Sequence, residues 1–346
     1  MSRFIQLHLL TSYPPANLNR DDLGRPKTAV VGGTERLRIS SQSLKRAWRT
    51  SEVFESAMAG HVGKRTKELG PTLQKKLLDG GIADKKATDW ARKITEQFAK
   101  KTEKETLKTG QLVHFTPEEW NAALDLADAL TSENRAPTDD ELGVLRQQSK
   151  AVDLALFGRM LADYPESNVD AAVQVAHAIS VNSVRIEDDY FTAVDDLNKR
   201  EEAGAAHIGE AGFGAGVFYL YICIDRRLLQ DNLQDDADMA NRALRSLTEA
   251  AATVAPSGKQ NSFGSRARTS YLLAERGDQQ PRSLTVAFLN AIRDGDKGVL
   301  GNAITALETQ QKNFDQVYGD CADARCGFNV EHAEGTLQAV LDFVAA

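Results

Sequence analysis

Residues 3–12 (RFIQLHLLTS) alternate, with Ile5, Leu7 and Leu9 on one face and Gln6 and His8 on the other, the period of a half-buried strand. The next stretch, SYPPANLNRDDLGRPKTAVVGGTE, holds three prolines, three glycines and the turn signals NR and DD, and reads as a long loop. A second strand, Leu37 to Ser40, leads into a helix with Ser41 as its N-cap and Leu44, Ala47 and Trp48 on one face. From Glu52 to about Arg159 the pattern is helical and charge-rich, broken at Gly60, Gly80–Gly81, Gly110 and around Pro137, with no segment that reads as a strand. This predicts an all-helical insertion over 52–159 between two parts of a mixed core, 1–51 and 160–346.

Within the second part, 169–180 suits a buried helix or a strand, and periodicity does not choose. A polar, acidic arm over about 184–216 ends in GEAGFGAG, and Val217–Ile224 (VFYLYICI) is the unbroken apolar run of a strand buried on both faces. Helices are predicted over 236–254, 283–293 and 298–318, and a strand over 269–275. Strands interleaved with helices imply an open α/β or α+β sheet with helices packed on it.

Composition narrows this little: 42% hydrophobic residues, 26% charged and a mean hydropathy of −0.39 are those of an ordinary globular chain. No apolar run approaches the roughly 18 residues of a membrane span. The N-terminus lacks a small-residue cleavage site and so reads as a strand, not a signal peptide. Three cysteines in 346 residues form no disulfide framework, which fits a reducing cytoplasm. The formal charge of −7 argues against a generally basic nucleic-acid binder, yet it conceals an asymmetry: residues 1–110 carry +10 and residues 111–346 carry −17. A local anion site, attraction between copies, or merely solvated helix faces all accord with that split.

The helix after Ser41 sharpens the choice. Gln42, Lys45, Arg46 and Arg49, at offsets 0, 3, 4 and 7, line the face opposite Leu44 and Trp48. Cations there, with no acid among them, oppose the positive end of the helix dipole. Backbone donors and Lys/Arg on one surface form an anion site, and an extended stripe suits a polyanion better than a mononucleotide. Arg20 and Lys27 on the loop upstream add to it. The competing reading is a solvated amphipathic helix whose basic face costs tenths of a kcal/mol.

Other features carry less. GEAGFGAG precedes a strand instead of following one, and no GKS or GKT is present, so it reads as a hinge or hairpin arm. Cys321, Cys326 and His332 lack a fourth zinc ligand. His177 and His207 have no local nucleophile or paired carboxylate. Glu187, Asp188, Asp189, Asp195 and Asp196 do not have calcium-loop spacing. The residues therefore predict no catalytic set, no metal and no cofactor.

The ordered set FIQLHLL, NLNRDD, RLRISSQSLKRA, GRM (158–160), AHAI (176–179), YFTAVDDL (190–197), AHIG (206–209) and GVFY (216–219) closely resembles the CasC family, the crRNA-binding backbone subunit of type I-E CRISPR Cascade. The resemblance runs through both parts of the core and is much weaker over about 52–150. It implies an α+β right hand: a modified RRM or ferredoxin-like palm (1–51 and 160–346), an inserted helical fingers domain (52–159) and a β-hairpin thumb (about 184–216). No RNP1-type aromatic motif is present, so base stacking on the sheet is not implied.

By motif position, the resemblance makes Arg20, Lys27, Ser40, Gln42, Lys45, Arg46 and Arg49 contacts to the crRNA backbone, with Lys259 and Gln260 in a further guide-contacting loop. Met160 and Phe191 become apolar wedges beside a base displaced at the thumb; taken alone, both read as core residues. The implied partners are crRNA, target DNA through guide pairing, further copies of the chain in a helical stack (six in the family complex), other Cascade subunits and a recruited helicase–nuclease, with no membrane. The implied role is a non-catalytic scaffold in cytoplasmic antiviral defence. Its rival is an RNA-cleaving enzyme of the wider repeat-associated superfamily.

Overall fold

The computed structural model describes residues 2–146, 150–193 and 207–346, and its first strand, β1 (Phe4–Ala16), is longer and more deeply buried than its alternation implies. Ile5, Leu7 and Leu9 are fully buried, but so is His8, and Gln6 is nearly so. The polar face tolerates burial because it is satisfied. Gln6 Oε1 accepts from the Tyr221 hydroxyl at 2.8 Å and from Arg282 N at 2.7 Å, while His8 sits between Tyr219 (2.9 Å) and Glu275 (3.1 Å).

The expected long loop contains a strand of its own. β2 (Thr28–Val31) and β3 (Thr34–Ile39) form a hairpin closed by Gly32 and Gly33, both at positive φ (58° and 74°). Such a two-residue turn needs left-handed backbone at both positions, and a Cβ on Gly32 would stand 1.7 Å from Leu289 O. The segment expected to be free of strands carries a two-stranded ladder, β4 (Lys64–Thr66) with β5 (Val113–Phe115), whose three-residue strands are too short to show a period. Residues 169–180 resolve into two short strands, β6 (Val173–Val175) and β7 (Ala178–Ser180).

β8 (Glu187–Ala193) pairs antiparallel with the first residues of β9 (His207–Asp225), which absorbs both GEAGFGAG and the apolar run after it. With β10 (Tyr271–Gly277) and β11 (Ala324–Asn329), the main sheet has the order β11-β10-β1-β9-β7-β3-β2, and β6 and β8 also pair with β9. Helix α1 (Ser41–Arg49) lies in sequence between β1 and β7, and the helix Ala237–Thr253 between β9 and β10. The subset β10-β1-β9-β7 thus has the strand order and helix insertion points of a ferredoxin-like βαββαβ unit. The fold is α+β.

The helix expected over 298–318 is Gly298–Tyr318, but the one expected over 283–293 is only a short 3₁₀ turn, Thr285–Phe288. Its backbone groups are spent elsewhere. The fully buried Arg36 guanidinium donates to the carbonyls of Ser180, Val181, Phe288 and Leu289, and Ile292 N donates to Val181 O at 2.8 Å. Those bonds tie the segment to the strands instead of closing helical turns.

By its internal contacts the chain forms two compact units. One comprises Met1–Phe54, Gln174–Ile224 and Leu244–Ala346; the other comprises Glu55–Val173 and Asp225–Ala243. The second has its own core, in which Leu69, Leu73, Trp90, Ile94, Phe98, Phe115, Trp120 and Leu130 are buried together.

Candidate nucleic-acid interface

Helix α1 is built as its period predicts: Leu44 and Trp48 are buried, worth roughly 2–3 kcal/mol each, while Gln42 and Arg46 are exposed and Lys45 and Arg49 half-buried. Its N-cap is Ser40, not Ser41. Ser40 is extended (φ −68°, ψ 145°), and its hydroxyl accepts from Ser43 N at 3.4 Å. Either serine could cap from sequence alone; the one-residue shift leaves the basic stripe where it was. Burial pushes the Lys45 ammonium below its ordinary pKa, a penalty that an anion at this face would relieve.

The loop upstream is folded onto the start of this helix. Asn19 Oδ1 accepts from Ser40 N (2.9 Å) and Asn19 O from Lys27 N (2.8 Å), while Arg20 pairs with Pro26 in an isolated bridge. Buried Asn17 donates to Gly24 O (3.0 Å) and Gly212 O (2.9 Å), fixing the loop from beneath. The glycines of GEAGFGAG permit that approach: a Cβ on Gly212 would meet Pro26 Cδ at 3.1 Å, and one on Gly214 would meet Leu37 Cδ1 at 3.1 Å. They serve close packing within a strand, not a phosphate-binding turn.

Lys259 (φ 44°) and Gln260 belong to the same neighbourhood. The preceding Gly258 lies against the Asn17–Leu18 backbone, where a Cβ would come within 2.3 Å of Leu18 O. Gln260 also lines a cleft of about 430 Å³ with Ser51, Glu52, Arg266 and Arg268, next to the C-terminal end of α1.

Charge pairing differs from one cation to the next. Arg25 is bound to Asp188 (2.9 Å), Lys75 to Asp79 (2.5 Å), Lys76 to Asp128 (2.7 Å) and Arg245 to Asp342 (2.7 Å). Among the described residues, no carboxylate pairs with the Arg20, Lys27, Arg38 or Arg46 side chain. Arg38 is not among the sequence candidates, although it lies two residues before Ser40 on a strand, hence on the same face. Its guanidinium reaches Thr28 O (3.4 Å) and donates to His177 Nδ1 (3.1 Å).

The two apolar candidates are not core residues. Met160 is 80% exposed and Phe191 43% exposed. Phe191 lies opposite Gly209 in the β8–β9 ladder, with its ring where a Cβ on Gly209 would stand. Met160 belongs to the other compact unit, beside a firmly held neighbour. The Arg159 side chain is only 8% exposed, donates from Nη1 to both carboxylate oxygens of Glu119 (2.8 and 2.7 Å), and binds Ser167 O from Nε and Nη2 (3.1 and 2.9 Å). Asp195 and Asp196 lie outside the described residues, as does the side chain of His207. Among the described residues no three His, Cys, Asp or Glu side chains gather as a metal site would require, and no helix is long and apolar enough to cross a membrane.

The family model described as CT1975-like protein matches residues 5–342. Among solved structures, a chain of a "CRISPR RNA-guided surveillance complex, pre-nicking" is 30% identical with a TM-score of 0.86, and the match covers 99% of both chains. A chain of a second "CRISPR RNA-guided surveillance complex" is 26% identical with a TM-score of 0.75, again over 99% of both. No curated protein matches the sequence.

Proposed function

The chain belongs to the CT1975-like protein family, and on that premise we propose that it is a crRNA-binding backbone subunit of a CRISPR surveillance complex of the type I-E Cascade kind. The observation that carries this reading is the surface formed by Arg20, Lys27, Ser40, Gln42, Lys45, Arg46 and Arg49, with Lys259 and Gln260 close by. Its Arg20, Lys27 and Arg46 have no carboxylate partner among the described residues, so their charge is left for an anionic ligand. Such a surface holds phosphates and reads no bases, so one protein accepts any guide sequence.

In this reading Met160 and Phe191 are wedges. Their exposure lets them pack against the face of a displaced base, and thioether and aromatic side chains do so with any base. Unstacking costs a few kcal/mol, offset by the backbone contacts. The first unit is the palm, the β8–β9 hairpin the thumb and the second unit the fingers. The protein acts as a scaffold and catalyses nothing itself. It stacks with further copies along the guide in a helical filament, joins other Cascade subunits, presents the guide to target DNA and leaves destruction to a recruited helicase–nuclease.

Incubating the purified protein with repeat-containing RNA, followed by denaturing electrophoresis and nuclease footprinting, tests this. The expected result is intact RNA with protected phosphates. Specific cleavage products would support an RNA-cleaving enzyme instead.

A further inference from the structure

We propose that Arg38 and His177 form an additional phosphate-binding site at the edge of the main sheet, continuing the cationic surface beyond Lys27. The proposal rests on the guide-binding reading above and extends it to residues outside the basic helix and its upstream loop.

Three basic residues converge here from three segments. Arg38 comes from β3, His177 from the two-residue link between β6 and β7, and Lys27 from the segment entering β2. Backbone bonds hold them together. Arg38 N donates to Lys27 O at 2.8 Å, Arg38 pairs with Ile179 in the β3–β7 ladder, and Ala176 N donates to Tyr221 O at 2.9 Å. Arg38 Nη1 donates to His177 Nδ1 at 3.1 Å, so the imidazole is neutral and carries its proton on Nε2. His177 is exposed and Arg38 only partly buried, so both side chains are within reach of a ligand.

The site's electrostatics are incomplete. The charged groups acting on His177 are Arg38 and Lys27, both positive, and no described carboxylate acts on it. Burial first, then these two cations, hold its pKa below the ordinary 6.5. Tyr219 of the neighbouring strand stays a neutral phenol, since burial pushes its pKa up. A cationic cluster with no counter-charge is completed by an anion, and a phosphodiester oxygen can accept from the Arg38 fork and from an imidazolium together. Binding would then replace the direct Arg38–His177 bond with two bonds to phosphate and favour uptake of one proton by His177. The sign follows: the pKa of His177 rises on binding, so affinity increases as pH falls from 8 towards 6.

The test is NMR titration of histidine-labelled protein with and without a short single-stranded RNA, with His177→Asn assigning the resonance and binding followed in parallel by anisotropy. The expected result is a His177 pKa raised on RNA binding, with a several-fold gain in affinity from pH 8 to pH 6 that His177→Asn abolishes. RNA that binds while the His177 titration stays put would overturn this site and leave the guide-binding reading standing. Failure of the folded native chain to bind RNA at all would overturn both.

Discussion

Replacing Lys27 and Arg46 together by alanine removes two positive charges from the cationic surface, one before β2 and one on α1, without touching the core. Arg46 is on the solvent face of α1, and neither side chain has a carboxylate partner among the described residues. Thermal stability should therefore stay within about 0.5 kcal/mol of the native chain. Guide binding should respond strongly. Each phosphate contact to a single strand contributes about −0.7 to the slope of log K against log salt, so losing two flattens it by about 1.4. Between about 50 and 200 mM salt, this makes the variant's deficit about sevenfold larger at the low end than at the high end. Fluorescence anisotropy with two labelled RNAs of unrelated sequence, each titrated at several salt concentrations, measures both slope and sequence dependence. The deficit should be the same for both RNAs. An unchanged slope, or a loss confined to one sequence, would refute the assignment of these cations to backbone phosphates.

Met160→Ala should leave stability within about 0.5 kcal/mol, because the side chain is 80% exposed, yet loosen the regular protection pattern along bound RNA; a large drop in melting temperature would make Met160 structural. Arg159→Ala should cost about 3–5 kcal/mol by urea denaturation, because it strands the buried Glu119 carboxylate, and a loss below about 1 kcal/mol would contradict that pairing. Stability should fall on acidification from pH 7 to pH 5. Burial lowers the pKa of His8 from 6.5 despite its bond to Glu275, so the folded state resists the proton that the unfolded chain accepts. That penalty is absent above pH 6.5 and grows by up to about 1.4 kcal/mol per pH unit as pH drops towards the folded value. Burial also opposes ionisation of Glu275, but its bonds from His8 and Arg282 prevail and hold it well below the usual carboxylate range, extending the loss below about pH 4.5. Constant or rising stability over pH 7 to 5 would contradict a neutral His8.

How much of the fold and site is readable in the sequence depends on the length of each pattern. Two full turns of α1 set Leu44 and Trp48 on one face and Gln42, Lys45, Arg46 and Arg49 on the other, so the basic stripe is legible from residue spacing alone. The helix Gly298–Tyr318 and the apolar half of β9 are legible for the same reason. The hairpin β2–β3 escapes a sequence reading although VGGT carries its signal, because surrounding prolines make the whole stretch look like loop. The three-residue strands β4 and β5 have too few positions to show a period. The turn at 285–288 has helical spacing but loses its backbone partners to Arg36, a distant residue that local pattern cannot supply. Arg38 and His177 are 139 positions apart, and only the sheet brings them into contact. Met160 and Phe191 are legible as exposed only through resemblance, since isolated apolar residues read as core by default.

Native mass spectrometry of the protein co-expressed with a guide RNA tests the central claim most directly. The scaffold account expects one intact RNA carrying several copies of the 37.8 kDa chain, with copy number growing with RNA length. Protein recovered free of RNA, RNA recovered as defined cleavage fragments, or one copy regardless of RNA length would contradict it.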